Sequence, residues 1–413
     1  MADFTLPLDI KTLKIIDQHI DYNGNITFTV ESTCTGTTCH KCGKLATKRY
    51  GHSYVMTFEH TTILDKRVFL KIKPVRYQCE HCDDGPTTTE KYDWVAKGGK
   101  ITQALEDYIM RQLIHATIQD VSRKTGVSYS TVYNSIQNLV GDKVDWSNYS
   151  DLHTIGIDEI SNRKGHNDYL AVVSVRNKKG ELSIIAVLDS RKKDDIKTFL
   201  DSIPKHLKKT VNSVCTDMYD GFVNAVVEVF GERKLVVDRY HVAKLYRKPL
   251  DNLRIKEMKR LKQELPSEEY KKLDGMMWII RKQHECLTQA DKDKLELLYH
   301  YYSPILKKAH HYALKLTQIF NTHCNRKTAT DKINDWIKMV NKSELNCFDS
   351  FINTLEKYKP FILNYFKGRM NSGFVEGLNN KIKVAKRRCY GLLKTESFFQ
   401  RLFLDLRGYE VFN

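Results

Sequence analysis

Residues 153–160 read His-Thr-Ile-Gly-Ile-Asp-Glu-Ile, an apolar and β-branched run with two acids near its end. Two runs of the same character follow, Asp168–Arg176 and Glu181–Asp189. The intervening segments, 165–167 and 177–180, are rich in Gly, Asn and Lys, which favour turns. This spacing predicts three consecutive antiparallel strands.

Helical and strand-like patterns alternate after the third strand. Asp194–Leu207 and Gly221–Phe230 carry apolar residues at helical period, and each is predicted to form one helix. Val211–Cys215 and Lys234–Asp238 are short apolar runs of strand length. The predicted order β-β-β-α-β-α-β is that of an RNase H-like core.

Two acids occupy special places in that strand order. Asp158 lies inside the first strand and Asp217 at the tip of the fourth, so their carboxylates are expected to come close together. Phosphodiester cleavage at neutral pH is well served by two divalent metal ions, and Mg²⁺ prefers carboxylate oxygens. The sequence therefore predicts a catalytic site with two Mg²⁺ ions, for which Mn²⁺ is a possible substitute.

A third carboxylate is predicted to come from Glu376, on a C-terminal helical segment. Positions +4, +7 and +11 from it are Asn380, Lys383 and Arg387. One helix face would then present an acid to the metal ions and a basic track to a DNA backbone. The alternative for residues 381–388 is a solvated helix face.

Other acids of the region allow simpler interpretations. Glu159 is expected on the opposite sheet face from Asp158, and Asp189 and Asp220 are typical loop or cap acids. Asp238 ends a predicted strand and is followed by His241. For Asp238 the alternatives are a metal ligand and, with His241, an auxiliary residue beside the ligands.

The N-terminal region contains two C-x-x-C pairs, Cys39-His40-Lys41-Cys42 and Cys79-Glu80-His81-Cys82. Two such turns brought together give a tetrahedral set of soft ligands, which is what a structural Zn²⁺ takes. Two strand-like runs between them, Tyr54–Glu59 and Val68–Tyr77, are expected to form a hairpin. The alternatives are reduced, unligated thiols, or a substitute ligand from Cys34, His52, His60 or His81.

A helix-turn-helix is predicted next. Ile101–Ile114 has an apolar residue at every fourth position, Gly126 suits a tight turn, and Ser128 is a good N-cap. The following helix is expected to bury Val132, Ile136 and Leu139. Its exposed face would contact DNA through Tyr129, Ser130, Tyr133 and Asn134. The alternative is a three-helix packing module without a DNA partner.

Residues 244–360 have a helical pattern rich in Lys and Glu. Pro304 is predicted at the first position of a helix, and Thr288-x-x-Asp291 and Thr328-x-x-Asp331 resemble capping boxes. This all-α insertion is interpreted as a scaffold or, alternatively, as a clamp on DNA.

Composition limits the choice of function. The 413 residues carry 67 Lys and Arg against 50 Asp and Glu, a net charge of +17, which suits a polyanionic partner. No apolar run reaches the length of a membrane span, and the first residues are acidic where a secretory signal is basic. A cytoplasmic protein with reduced thiols and no membrane partner is therefore expected.

The predicted fold is multidomain α/β, with an RNase H-like catalytic core interrupted by an all-α insertion and preceded by a zinc ribbon and a helix-turn-helix. The five predicted domains are an N-terminal hairpin with the ribbon (1–98), the helix-turn-helix (99–150), the first part of the core (151–243), the insertion (244–360) and the C-terminal part of the core (361–413).

Together these motifs resemble the ISL-three group of bacterial insertion-sequence transposases, which carry a DDE catalytic triad. The resemblance covers nearly the whole chain and is most specific in Asp238–Val242 and Ser372–Lys383. It implies that Asp158, Asp217 and Glu376 form the triad. It also implies binding to double-stranded DNA at terminal inverted repeats, cleavage and joining to target DNA without a covalent protein intermediate, and a homodimer on DNA at the nucleoid. A non-catalytic DNA-binding regulator of the same fold and a structure-selective nuclease are the alternatives.

Overall fold

The structure is a computed structural model that describes residues 8–163, 168–282, 284–369, 373–389 and 394–412. For residues 162, 163, 284 and 373–376 it describes the backbone alone. The chain forms two compact units. One contains residues 1–143 and 384–413, and the other contains residues 144–383.

The first unit begins with three small sheets. Their strands are β1 (Leu13–Ile20), β2 (Ile26–Ser32), β3 (Thr37–Thr38), β4 (Leu45–Ala46), β5 (Lys48–His52), β6 (Met56–Ile63), β7 (Lys66–Ile72), β8 (Val75–Gln78) and β9 (Thr87–Thr89). The sheet orders are β1-β2-β7-β6, β3-β4 and β5-β8-β9. Alternate residues of β2, β6 and β7 point into a small core that includes Trp94. The run Val68–Tyr77, predicted as one strand, is divided between β7 and β8, which lie in different sheets.

Three helices follow these sheets: α1 (Gln103–Leu113), α2 (Ile118–Thr125) and α3 (Tyr129–Leu139). Gly126 has a left-handed φ of 72°, and the Ser128 hydroxyl accepts a hydrogen bond from the Thr131 N–H, which confirms the predicted turn and cap. The prediction that Leu139 is buried is wrong. Its side chain is exposed because the chain leaves the helix after it, and Val140 fills the core position.

The second unit is built on a five-stranded sheet. Its strands are β10 (Thr154–Arg163), β11 (Asp168–Arg176), β12 (Leu182–Leu188), β13 (Ser213–Thr216) and β14 (Leu235–Val237). The spatial order is β12-β11-β10-β13-β14. The first three strands are antiparallel, as predicted, and β13 and β14 run parallel to β10. The central strand of the sheet is therefore the one that carries Asp158.

Helices cover this sheet and extend beyond it. They are α4 (Lys193–Ser202), α5 (Lys205–Thr210), α6 (Asp220–Phe230), α7 (Arg239–Glu264), α8 (Ser267–Lys271), α9 (Met276–Arg281), α10 (Gln289–Leu297), α11 (Pro304–Asn321), α12 (Arg326–Asn341), α13 (Asp349–Ile362), α14 (Tyr365–Gly368) and α15 (Gly373–Arg388). The prediction of one helix over Asp194–Leu207 is wrong. Ile203 is extended, as a residue before proline prefers to be, so the segment breaks into α4 and α5.

The ends of the later helices test the predicted caps. Pro304 is the first residue of α11, and Thr288 and Asp291 form the predicted capping box of α10. The box predicted at Thr328 is wrong, because α12 begins two residues earlier, where the Asn325 side chain accepts from the Thr328 N–H. Thr328 is therefore the third residue of α12 and lies within its first turn.

The last helix, α16 (Thr395–Phe412), completes the first unit by packing on α1. Arg401 is buried and donates to the Leu113 carbonyl over 2.7 Å, and Arg388 pairs with Asp405. A Cβ on Gly408 would lie 2.7 Å from a side-chain carbon of Ile114, so the close approach depends on glycine. The segment 361–413, predicted as one domain, is thus shared between the two units.

Candidate functional site

The central strand β10 holds Asp158 between β11 and β13. Its side chain is half-buried. The carboxylate accepts a hydrogen bond from the Glu159 N–H over 2.7 Å and another, at its second oxygen, from the Asn379 side-chain amide. Both oxygens of Asp158 therefore have a fixed orientation.

The neighbouring strand β13 places Asp217 beside Asp158. Gly156 pairs with Cys215 in the parallel ladder, so the residues two positions further along lie at the same edge of the sheet. Asp217 follows the last residue of β13, and its carboxylate accepts from the Tyr219 N–H over 3.0 Å. The structure thus brings together two of the three acids that the sequence singled out.

The two carboxyl groups influence each other's ionisation. Burial raises the pKa of Asp158, while the N–H of Glu159 and the nearby His241 act in the opposite direction. Burial also raises the pKa of Asp217, and the charge of Asp158 adds to that rise. A cation bound between them would offset both the desolvation and the mutual repulsion.

Asn379 was not predicted from the sequence as a site residue. Its side chain is 93 % buried, since its exposed fraction is 7 %. Its amide N–H₂ donates to Asp158, and its carbonyl oxygen has no hydrogen-bond partner among the described residues. An unpartnered buried amide oxygen is costly, and near the Asp158 carboxylate it adds a hard oxygen donor of the kind that Mg²⁺ takes. The described residues therefore fit a divalent metal ion.

The third predicted acid, Glu376, lies in the first turn of α15. Its side chain lies outside the described part of the structure, so its position relative to Asp158 stays a prediction. Asn379, one turn further along the same helix, contacts Asp158. Asn380, Lys383 and Arg387 are exposed. One face of α15 is therefore buried, and the face that carries these three residues is open to solvent.

Asp238 and His241 lie at the start of α7. Asp238 is buried, and its carboxylate caps the helix by accepting from the Tyr240 N–H over 3.1 Å. Its own N–H pairs with Thr216 of the neighbouring strand over 3.0 Å. His241 is close enough to lower the pKa of Asp158 and of Asp217. The structure thus shows Asp238 as a helix cap and His241 as a neighbour of both carboxylates.

Glu159 takes part in a different contact. It forms an ion pair with Arg191 over 2.6 Å. The guanidinium group of Arg191 lies 4.3 Å from the ring centre of Tyr169 and 4.7 Å from that of Tyr219, which is a cation–π arrangement on both sides. A Cβ on Gly221 would lie 2.5 Å from a ring carbon of Tyr219, so this glycine leaves room for the ring.

The four predicted zinc ligands converge in the first unit. The sulfur atoms of Cys39, Cys42, Cys79 and Cys82 all lie within 4.8 Å of one another, and those of Cys42 and Cys79 are 3.6 Å apart. Zn–S bonds of about 2.3 Å in a tetrahedron place sulfurs about 3.8 Å apart. Among the residues that the structure describes, no other His, Cys, Asp or Glu side chain joins this cluster. The substitute ligands considered from the sequence are therefore absent from it.

The thiols of this cluster differ in their ionisation. Backbone N–H groups of Cys42 and Lys41 lower the pKa of Cys39 to about 6. Burial and the three neighbouring thiols raise the pKa of Cys82 to about 12. A divalent cation held by all four sulfurs would favour the thiolate form of each, so this donor set fits zinc.

The predicted DNA-reading face of α3 is open to solvent. Tyr129 is 52 % exposed and Tyr133 is 40 % exposed, and Ser130 and Asn134 are exposed as well. Gln137, on the same face, instead exchanges hydrogen bonds with Gln400 of α16. The four predicted residues thus lie exposed in the N-terminal half of α3, which is the part that enters a DNA groove in helix-turn-helix proteins.

The helices that the structure describes include none long and apolar enough to cross a membrane.

Comparison with known proteins places these features in a family. A DDE transposase family model of the ISL3 type, described as "Transposase", matches residues 155–402, which is more than half of the chain. A second, the "Helix-turn-helix domain of transposase family ISL3", matches residues 90–140.

Two curated relatives cover most of the chain. The transposase for insertion sequence element IS1001 of Bordetella parapertussis is 23% identical over 88% of this chain and 87% of its own length. That for element IS1557 of Mycobacterium tuberculosis is 21% identical over 90% and 86%. With a DDE domain around the paired carboxylates and a helix-turn-helix before it, this chain belongs to the ISL3 family of transposases.

Proposed function

We propose that this protein binds the terminal inverted repeats of an insertion sequence and catalyses metal-dependent cleavage and transfer of its DNA strands. The observation that carries the proposal is the pairing of Asp158 and Asp217 on neighbouring strands, with the unpartnered oxygen of Asn379 beside them. The match of the transposase family across this region supports it.

The fold assignment rests on the sheet of the second unit. Numbering its strands in chain order gives the spatial order 3-2-1-4-5, with strands 4 and 5 parallel to strand 1. This order supports an RNase H-like core. The helices between β14 and α15 would then be an all-α insertion within the core, and the four-cysteine cluster would belong to a zinc ribbon.

In the proposed active site, Asp158, Asp217 and Glu376 hold two Mg²⁺ ions, which Mn²⁺ can replace. The metal ions would supply Lewis-acid activation of water and stabilisation of the leaving oxygen. Asn379 keeps the Asp158 carboxylate in one orientation through its amide N–H₂. His241 favours the ionised form of both aspartates. Asp238 fixes the start of α7 and thereby the position of His241.

The reaction needs no covalent enzyme intermediate. The oxygen of a water molecule bonds to phosphorus, the bond from phosphorus to the 3′ oxygen breaks, and that oxygen takes up a proton. The freed 3′-hydroxyl then attacks a phosphodiester of target DNA and displaces the 3′ oxygen there. This second step forms one phosphodiester bond and breaks one, so their number does not change in it. The protein's contribution is the position and charge of the groups around phosphorus.

DNA recognition is assigned to the first unit and to α15. Tyr129, Ser130, Tyr133 and Asn134 would contact the element end. A structural Zn²⁺ on Cys39, Cys42, Cys79 and Cys82 would fix the ribbon that precedes them. Asn380, Lys383 and Arg387 are exposed on α15 and would contact phosphates near the cleaved bond. Because two element ends must be joined to one target, we expect a homodimer on DNA. The DNA-bound complex would lie at the nucleoid.

The direct test is cleavage of a duplex that carries the flanking sequence of this reading frame. Purified protein is incubated with the labelled duplex in Mg²⁺, in Mn²⁺ and in EDTA, and the products are mapped. We expect cuts at the element ends that leave a 3′-hydroxyl, in either metal and not in EDTA. Specific end binding without any cut in either metal would favour a non-catalytic regulator and contradict the proposal.

A further inference from the structure

The helices of the second unit contain many ion-paired cations. Over residues 251–291, Asp251 accepts from both Arg254 and Arg281, and Lys272 pairs with Glu269 and Lys282 with Asp291. These pairs are largely exposed. In each of these four pairs a carboxylate compensates the cation, so Arg254, Lys272, Arg281 and Lys282 have little charge left for an external ligand.

A second group of cations in the same unit has a different environment. We call it the basic face, and its members are Arg233, Arg239, Arg326, Lys327, Lys359, Lys367 and Arg369. Among the residues that the structure describes, none of the seven forms an ion pair. Their positive charge is therefore not compensated locally.

Neutral groups hold the arginines of the basic face in place. Arg239 donates to the Tyr365 hydroxyl over 3.2 Å and to the side-chain oxygen of Asn321. Arg369 donates to the carbonyls of Phe320 and Thr322, each over 3.0 Å, at the end of α11. Both guanidinium groups lie near the Tyr365 ring, at 5.9 and 5.4 Å from its centre. These contacts fix the two cations and leave their charge available.

Three other members line an open cavity of about 600 Å³. Arg326, Lys327 and Lys359 line it, together with one acid, Glu356. Lys359 donates to the side-chain oxygen of Asn334 over 2.7 Å. The pKa of Lys367 is lowered first by desolvation and further by the nearby charges of Arg326 and Arg233. The cations are thus near enough to one another to feel mutual repulsion.

The start of α12 adds a second sign of strain. Arg326 and Lys327 are its first two residues, and no acid lies in that turn. The positive end of a helix dipole favours acids, so cations at this position are unfavourable. Cations at the start of a helix and cations that repel one another are both unfavourable without a ligand. Such an arrangement is typical of a surface that binds an anion.

We propose that the basic face binds the phosphate backbone of duplex DNA, as a sequence-independent contact separate from the predicted helix-turn-helix and α15 contacts. This inference deepens the proposed function and rests on it, because a DNA substrate is its premise. Duplex DNA presents a row of phosphates, and several cations held by neutral groups can neutralise consecutive ones and release their counterions. The helices between β14 and α15 would then be part of a DNA clamp as well as a scaffold.

The test compares two triple variants of the full chain with equal changes of charge. One combines Arg326→Gln, Lys327→Gln and Lys367→Gln. The control combines Lys272→Gln, Arg281→Gln and Lys282→Gln in the ion-paired region. Affinity for a random-sequence duplex and for an end-containing duplex is measured between 50 and 200 mM salt, conditions in which phosphate contacts dominate the salt dependence.

We expect the basic-face triple to lower the slope of log affinity against log salt by about 2–3, since each phosphate contact contributes about 0.9. The triple variant should weaken binding to both duplexes equally, because phosphate contacts carry no sequence information. The control should change the slope by less than about 0.5 by the same relation. Equal slopes for the two triples, or no change in the basic-face triple, would overturn the inference, and the second result would point instead to an acidic protein partner.

Two further measurements keep the outcomes separate. If the triple does not fold, the single variant Lys327→Gln replaces it, with an expected loss of slope of about 0.9 and an unchanged slope as the contrary result. Wild-type cleavage of end-containing DNA is followed in parallel. Its absence would contradict the proposed function, whereas normal cleavage with an unchanged slope in the variant would contradict only the basic face.

Discussion

The cysteine cluster and the carboxylate cluster are assembled in opposite ways. The four thiols come from two short turns, and within each turn the spacing of two residues already aims both sulfurs at one point. Asp158, Asp217 and Asn379 are far apart along the chain, and they meet only because β13 pairs with β10 and α15 packs beside them. One cluster depends on local geometry and the other on the topology of a whole sheet.

This difference has a consequence for stability. The proposed metal ion would hold the two knuckles together where the neighbouring strands β3 and β4 are only two residues long. The carboxylates sit in a sheet with an extensive apolar core that forms independently of them. Loss of a cysteine should therefore destabilise the fold around the cysteine cluster. Loss of an aspartate should reduce DNA cleavage and leave the fold intact.

The largest effect is expected from Asp158→Asn. The variant keeps the shape of the side chain and removes a charged metal ligand, so cleavage of end-containing DNA in Mg²⁺ should fall by on the order of 10³-fold or more. Glu376→Gln should act in the same way. End binding, measured by gel shift, should stay within about threefold of wild type, because phosphate and base contacts are elsewhere. Asp189→Asn, at an exposed acid after β12, is the control and should cleave normally. Full activity in Asp158→Asn would remove this residue from the site.

The next effect concerns the cysteine cluster. Cys42→Ser or Cys82→Ser should lose about one equivalent of zinc per chain and with it specific end binding. Metal content is measured by atomic absorption, and binding by competition against random DNA. The control is Cys286→Ser, an exposed thiol outside the cluster, which should retain both. Wild-type protein that purifies without metal and still binds ends would show that the cluster needs no zinc.

A smaller effect is expected at Asn379. Asn379→Ala removes the donor to Asp158 and the unpartnered oxygen, and residues that orient metal ligands typically contribute 10–100-fold to metal affinity or activity. Mn²⁺ affinity, measured by electron paramagnetic resonance without DNA, should fall by about that factor. The neighbouring Asn380→Ala is the matched control, since Asn380 is exposed and should leave Mn²⁺ affinity unchanged. Equal affinities in the two variants would limit Asn379 to packing.

The smallest effect is on stability without metal. Because burial raises the pKa of Asp158 and Asp217 in the folded state, that state binds more protons than the unfolded chain, and stability falls as pH rises from the ordinary carboxyl pKa to the raised one. Above that window, in EDTA at pH 7, Asp158→Asn should therefore raise Tm by about 2–4 °C. Excess Mn²⁺ should raise Tm of wild type more than of the variant. A lower Tm for the variant in EDTA would show that the charge of Asp158 stabilises the fold.

The features that the sequence predicted correctly are those that depend on near neighbours along the chain. Gly126 and Ser128 form the expected turn and cap, and Thr288 with Asp291 forms the expected capping box. The errors lie where local patterns compete. Apolar periodicity continues through Ile203, but α4 ends before Pro204. At α12 the N-cap is Asn325, whose side chain accepts from the Thr328 N–H, so Thr328 lies inside the helix.

The candidate site was predictable only in part. Asp158 and Asp217 stand out because strand order alone places them on adjacent strands. Asn379 lies within the family-like segment Ser372–Lys383, but that resemblance assigned it no role, and an Asn one turn from Glu376 can face either solvent or the core. The only available sign was that Leu378 and Ile382, both buried, lie on the same side of α15 as Asn379, and such a pattern does not distinguish it from Asn380.

The sequence by itself determined the cysteine knuckles, the helix-turn-helix, the order of strands and the family, because each follows from residue types at short, regular spacings. The tertiary structure decided which side chains share a space. It placed Asn379 against Asp158 and joined α16 to α1. It also gathered the seven cations of the basic face, of which Arg239, Lys359 and Arg369 donate to neutral acceptors and none has a carboxylate partner among the described residues. These contacts link residues far apart in the chain, and their formation depends on packing of whole helices and strands, which no local pattern encodes.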